Sequence, residues 1–99
     1  LIIPVLKKDE TWEKHLDKLL EEVVEVKDEI EYIDKDLFEK VGYKQIAAET
    51  LDVIQVCIGI LDKIESNYKG TVDEAAHEHL KKLINRGWII KKILEVRAA

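Results

Sequence analysis

Residues 46–61, IAAETLDVIQVCIGIL, decide the fold. The run is apolar on almost every side of a helix, and such a helix belongs at the centre of a domain. Its polar members are not scattered. Advancing about 100° per residue, Gln45, Glu49, Asp52, Gln55 and Asp62 fall on one narrow strip of that helix. If the apolar sides are packed, Glu49 and Asp52 are drawn inward with them, and buried carboxylates persist only where something cationic or hydrogen-bonding compensates. The plainer reading is that the strip is the exposed edge of a large amphipathic helix.

Working outward, this second helix is predicted from about Tyr43 to Ser66, and Asn67–Gly70 closes it with Gly70 as a left-handed stop. Upstream, a first helix is expected to start between Asp9 and Thr11, either of which could cap it, and to end near Asp34. Its stripe is Trp12, Leu16, Leu19, Val23, Val26 and Ile30, at the spacings of 3 and 4 that mark one helical face. The connection DKDLFEKVG, residues 34–42, ends on Gly42 as the expected break, and residues 1–8, with Pro4 among them, read as an extended lead-in. Downstream, TVDE at 71–74 has the form of a capping box, Glu74 reaching back, and opens a third helix to about Asn85. The tail WIIKKILEVRAA is equally compatible with a short helix and a strand.

Composition agrees. The chain has 99 residues, with 46% apolar, four Gly and one Pro, too few turn formers for a many-stranded barrel or sandwich. The expectation is one all-α domain over residues 1–99: an antiparallel bundle of three main helices plus a short C-terminal element. At this length a narrow bundle gains by burying a face against a second copy, so completion by oligomerisation is expected. One cysteine excludes an internal disulfide or a zinc ribbon and favours a reducing cytoplasm. No apolar run reaches the roughly 18 residues of a membrane span, and LIIPVLKKDE lacks the order of a signal peptide, so no membrane partner is expected. The net charge of −5 argues against a nucleic-acid polymer as partner. That charge is unevenly spread, with +5 over residues 80–99 and −10 before them.

The first helix supplies carboxylates of its own. In LLEEVVEV, Glu21, Glu22 and Glu25 span about 100° of arc, Glu22 beside the apolar stripe. Like charges at such spacings repel by a few tenths of a kcal/mol, a cost a cation removes. If the two helices are antiparallel neighbours, Glu22 and Glu25 face Glu49 and Asp52 across one gap. Four oxygen donors favour a hard ion, Mg²⁺ or Mn²⁺, and Mg²⁺ completes its shell with water and substrate phosphates.

EEVVE at 21–25 followed by ETLD at 49–52 resembles the EExxE and ExxD pair of the all-α nucleoside triphosphate pyrophosphohydrolase superfamily, particularly its short MazG-like members. HLKKLINRGW at 79–88 is similar to the K-x-x-x-R-G segment of phage-type members. The resemblance touches most of the chain, and the paired acidic motif is its specific part. It implies a helical dimer or tetramer that cleaves a nucleoside triphosphate between the α and β phosphates with Mg²⁺, releasing the monophosphate and pyrophosphate. It further implies Glu22, Glu25, Glu49 and Asp52 as metal ligands, and Glu21 as a further ligand or as the group that orients the attacking water. Glu21 and Glu22 are then the catalytic candidates.

The chemistry is consistent with that implication. Water approaches a triphosphate only after metal ions draw charge from its oxygens, and the pyrophosphate leaving group needs a second cationic party. Lys82 and Arg86, four apart at the end of the third helix, are candidates for phosphate, or they compensate that helix's negative end. A base pocket would draw on Trp12, Trp88 or Tyr43, although tryptophans more often anchor cores. His77-Glu78-His79 is not a metal motif, because histidines two apart point to different sides of a helix. His15 is expected at the edge of the first helix's packed face, and Cys57 in the core. Lys27 falls in the apolar arc, where it snorkels outward or pairs with a carboxylate. Two alternatives stand beside the leading one. Phosphoribosyl-ATP pyrophosphohydrolase shares a similar acidic pair, but its Ser-Tyr-Thr segment before the first motif is missing here. The other is a non-catalytic helical interaction module that retains the motif as a structural relic, and the intact Glu22, Glu25, Glu49 and Asp52 argue against such decay.

Overall fold

Thr11 opens the first helix. Its Oγ1 accepts a hydrogen bond from the Lys14 N–H at 3.2 Å, the bond of an N-cap, and α1 runs from Trp12 to Ile33. Helices α2 (Glu39–Asn67) and α3 (Thr71–Asn85) follow, and the described residues contain no strand. The structure is a computed structural model that describes residues 1–8, 10–33 and 39–98, so Asp9, Asp34 and most of the DKDLFEKVG connection lie outside the described residues. α2 packs with both α1 and α3.

The pairing of α1 with α2 is antiparallel: His15 lies against Gly59, and Glu22 and Glu25 meet Glu49 and Asp52. The residues of α1 that lose most solvent are His15, Leu19, Glu22, Val26, Glu29 and Ile33, at alternating steps of four and three. On α2 the matching set is Ile46, Glu49, Val53, Val56, Ile60 and Lys63. This seam is not the expected one. The predicted stripe on α1 shares only Leu19 and Val26 with it, and its centre is rotated by about 60°. The apolar arc of α1 is wider than one helix contact can cover, and the helix rolls so that its acidic edge enters the seam. Leu16, Val23 and Ile30 are left about half exposed. His15, expected at an edge, is therefore buried.

Nor is α2 a buried helix. Its residues 53–60 are all half-buried, and among the described residues no apolar side chain is fully buried. The two buried side chains are polar, His15 and Glu22, each 6% exposed. Gly42, the expected break, lies inside α2 and is buried. A helical glycine costs about 1 kcal/mol against alanine, too little to stop a helix of 29 residues that packs along its length.

The turn into α3 departs from the expected capping box. Gly70, with φ 88°, is the N-cap, Thr71 is already helical, and no local side chain caps the helix. Glu65, from the last turns of α2, does so: its carboxylate accepts from the Gly70 N–H at 2.7 Å and the Val72 N–H at 3.2 Å. Those two bonds, Gly70 first, hold the Glu65 carboxyl below its usual range. At its other end α3 stops by a Schellman motif. Gly87, at φ 83°, donates to Ile84 O at 3.0 Å and Trp88 donates to Leu83 O at 3.2 Å. Residues 88–98 form neither the helix nor the strand considered for them and run exposed, Ile89 at 94%.

Removing the Glu65 carboxylate (Glu65→Ala) lowers the urea midpoint at pH 7. Because the folded pKa of Glu65 is depressed, its contribution is present above the ordinary carboxylate range and is lost as pH falls through the folded value. The difference from wild type should therefore close in acid, followed by circular dichroism. Gly87→Ala should cost about 1 kcal/mol at any pH, the strain of a side chain in the left-handed region.

Candidate metal centre

Glu22, Glu25, Glu49 and Asp52 come together where α1 and α2 cross their acidic edges, each offering an oxygen within 4.8 Å of the others. Steps of three residues on each helix set the two members of a pair on one face, and the antiparallel register sets the pairs opposite each other. Glu22 is buried, Glu49 half-buried, and Glu25 and Asp52 exposed, so the inward placement expected of Asp52 does not hold: the site is open on one side. It is the one such group of three or more potential ligands among the described residues, and the His77–His79 pair is exposed and outside it.

Four carboxylates at this separation cannot all stay charged without a partner. Hydrogen bonding to Glu49 and then to Glu22, with the negative charge of Glu22 behind it, pushes the Glu25 carboxyl up to about 7. Lys18 supplies the other compensation. Its Nζ lies 3.1 Å from Glu22 Oε1 and 3.4 Å from Glu21 Oε1, and these bonds, Glu22 first, raise its pKa. Two oxygens remain unanswered. Glu22 Oε2 and Glu49 Oε2 are buried without a hydrogen-bond partner, a situation that costs about 1–3 kcal/mol per atom and more when charged.

The donor set fits a hard divalent cation. Opposed ligands of Mg²⁺ stand about 4.2 Å apart, so carboxylates spread over at most 4.8 Å need only a small inward shift to close on one ion. The open side leaves room for water or phosphate oxygens.

Glu22 and Asp52 also line a cavity of about 400 Å³ that continues along the seam past Lys18, Gln55, His15 and Gly59. The other residues singled out by the sequence lie elsewhere. Glu21 is exposed and engaged by Lys18. Lys82 and Arg86 are exposed on α3 and its C-cap and do not line the cavity. Trp12, 51% exposed, stacks under Lys63 Nζ at 5.2 Å, while Trp88 and Tyr43 are exposed. Cys57 is half-buried, and Lys27 pairs with Glu31 at 2.7 Å. Lys18 was missed, although its offsets of three and four from Glu21 and Glu22 signal it. His15 was misjudged, although seven residues before Glu22 is two turns along the same face. No protein-family model, curated protein or solved structure matches the chain.

Metal-free protein should lose thermal stability as pH rises. A carboxyl whose folded pKa is raised contributes fully below its ordinary value near 4.5 and loses that contribution as pH climbs through about 7. Melting temperature is expected to fall between about pH 5 and 8 and to recover on adding Mg²⁺ or Mn²⁺ at pH 8, with little response at pH 5 where the proton holds the site. Glu49→Gln should flatten this profile and remove the response to metal.

Proposed function

We propose that the chain hydrolyses a nucleoside triphosphate between its α and β phosphates, giving the nucleoside monophosphate and pyrophosphate, with Mg²⁺ and with Mn²⁺ as a substitute. The observation that carries this reading is the quartet Glu22, Glu25, Glu49 and Asp52 with two buried, unpartnered oxygens, at the spacing of the EExxE and ExxD pair. A divalent cation held there supplies neutralisation of phosphate oxygens and activation of water. The protein's own residues do the rest. The four carboxylates hold the ligand positions, and Glu21, on the solvent side, orients the incoming water. Lys18, the cation nearest the quartet, exchanges its carboxylate partners for phosphate oxygens as charge develops on the leaving group. Lys82 and Arg86 remain candidates for phosphate contributed across a subunit boundary, and Trp12 and Trp88 for the base.

The working form in this reading is a cytoplasmic homodimer or homotetramer in which a second copy completes the helical bundle. Two observations support it. The radius of gyration is 16.1 Å, against about 13 Å for a compact chain of 100 residues. An apolar groove of about 480 Å³, bordered by Val23, Val26, Ile30 and Val53, lies open beside the seam. No helix among the described residues is long and apolar enough to cross a membrane.

Purified protein with Mg²⁺ and a panel of ribo- and deoxyribonucleoside triphosphates is expected to release pyrophosphate. Because losing a residue that merely orients a metal ligand costs about 10–100-fold, losing a ligand in Glu49→Gln should cost about 100-fold or more in kcat/KM. Pyrophosphate from no nucleotide, or an unaltered rate in the variant, would remove the enzyme reading and favour an interaction module. Activity confined to phosphoribosyl-ATP would select that alternative. Light scattering on a sizing column should give at least twice the 11.5 kDa chain mass, and Val23→Glu should lower it.

A further inference from the structure

One flank of the α1–α2 seam is covered by the chain itself. The lead-in runs beside it, strapped down where Gln55 Nε2 donates to Pro4 O at 2.7 Å and Lys63 Nζ donates to Glu10 O at 2.8 Å, and it walls the cavity of about 400 Å³. The opposite flank is the apolar groove of Val23, Val26, Ile30 and Val53, lined among the described residues by α1 and α2 alone. Its two charged members, Lys27 and Glu31, pair with each other at 2.7 Å, so the lining is aliphatic surface without net charge. Around it α1 is strongly acidic. Over Trp12–Ile33 eight carboxylates stand against three lysines, and Asp28 and Glu31 lie on the side of the groove away from α2.

The same chain holds a second unpartnered apolar surface. Residues 88–98 leave α3 at the Gly87 stop and run without regular structure, Ile93 being 78% exposed. Their order is that of an amphipathic helix. Wound at 100° per residue, Ile89, Ile90, Ile93, Leu94 and Val96 fall within about 160° of arc. Lys91 and Lys92 fall just outside that arc, one on each side, with Glu95 between them on the far face. Arg97 is on the apolar side at its very end, where a long stem lies along a groove and the head reaches water. Aliphatic anchors four residues apart are the means by which a helix enters an apolar groove.

We propose that residues 88–98 of one copy wind into a helix in the Val23–Val26–Ile30–Val53 groove of a second copy, and that the exchange is reciprocal, so that a two-fold dimer covers both grooves and both tails. The proposal rests on the reading that the chain assembles with itself and stands apart from the hydrolytic one. Two observations select this occupant. Within one subunit the groove and the tail are both exposed, so neither covers the other. The charges also match, because lysines bordering the tail's apolar arc meet the acidic rim of α1. An anionic lipid surface would instead meet a body carrying −10 over residues 1–79.

Cross-linking tests the contact itself. In a Cys57→Ser background, Ile30→Cys chains mixed with Ile93→Cys chains of different tagged mass should give the mixed dimer with a short bismaleimide. Chains carrying both cysteines should cross-link between copies. Ile93→Glu should raise the dimer Kd by about tenfold or more in a light-scattering dilution series. Lys91→Glu with Lys92→Glu should weaken association at low salt, by a margin that shrinks as salt rises. Association unaltered in Ile93→Glu, or no mixed dimer, overturns the tail contact and leaves self-assembly standing through another face. A wild type that is monomeric at every concentration overturns both. A cross-link formed only within a single doubly substituted chain assigns the tail to its own groove and overturns the exchange. Co-sedimentation with phosphatidylserine vesicles in place of the cross-link also overturns it, in favour of a lipid surface.

Discussion

The pairing of α1 with α2 forces four carboxylates into one small volume, and most of what distinguishes this chain answers that concentration of charge. Glu22 is the pivot. It is carried into the seam because α1 presents its acidic edge to α2, and once there it has Lys18 on one oxygen and nothing on the other. The hydrogen bonding that raises the Glu25 carboxyl and the ion pair of Lys18 are partial answers drawn from the protein itself. Glu22 Oε2 and Glu49 Oε2 are still left without a partner, and a group in that condition works against folding.

That constraint also explains the apolar surface. A helix with an apolar arc wider than one contact can pack by its greasiest line or by an adjacent one. Here the adjacent line is used, and Leu16, Val23 and Ile30 are turned away from α2. The chain thus carries two features at once: a seam with two buried, unpartnered carboxylate oxygens and an apolar flank open to solvent.

Much of this was legible in the sequence. Three helices, the Thr11 cap and the left-handed Gly70 follow from local periodicity and turn chemistry, and the facing of Glu22 and Glu25 with Glu49 and Asp52 follows from spacings along each helix once the two are antiparallel neighbours. The failures share a cause. The 60° roll of α1 is decided by what the partner helix offers, which periodicity on α1 alone does not contain. Glu65 caps α3 from the preceding helix, a contact that the local pattern TVDE does not encode. The length of α2 overrides the intrinsic cost of Gly42. The cavity has no local signature because one wall comes from the lead-in, 51 residues away from its anchor at Gln55.

The manner of that anchoring has a further implication. Gln55 and Lys63 grip the main-chain carbonyls of Pro4 and Glu10, atoms that every residue type provides. Those two bonds read no side chain of the strap, while the Glu10 carboxylate adds a contact of its own to His15 at 3.7 Å, and Leu6 and Lys8 line the cavity. Substitutions there can reshape the wall while the acidic quartet and the helix pair stay as they are. Residues 5–8 form an exchangeable cassette, the part of this small protein in which a lineage could change what it binds at least cost to how it folds.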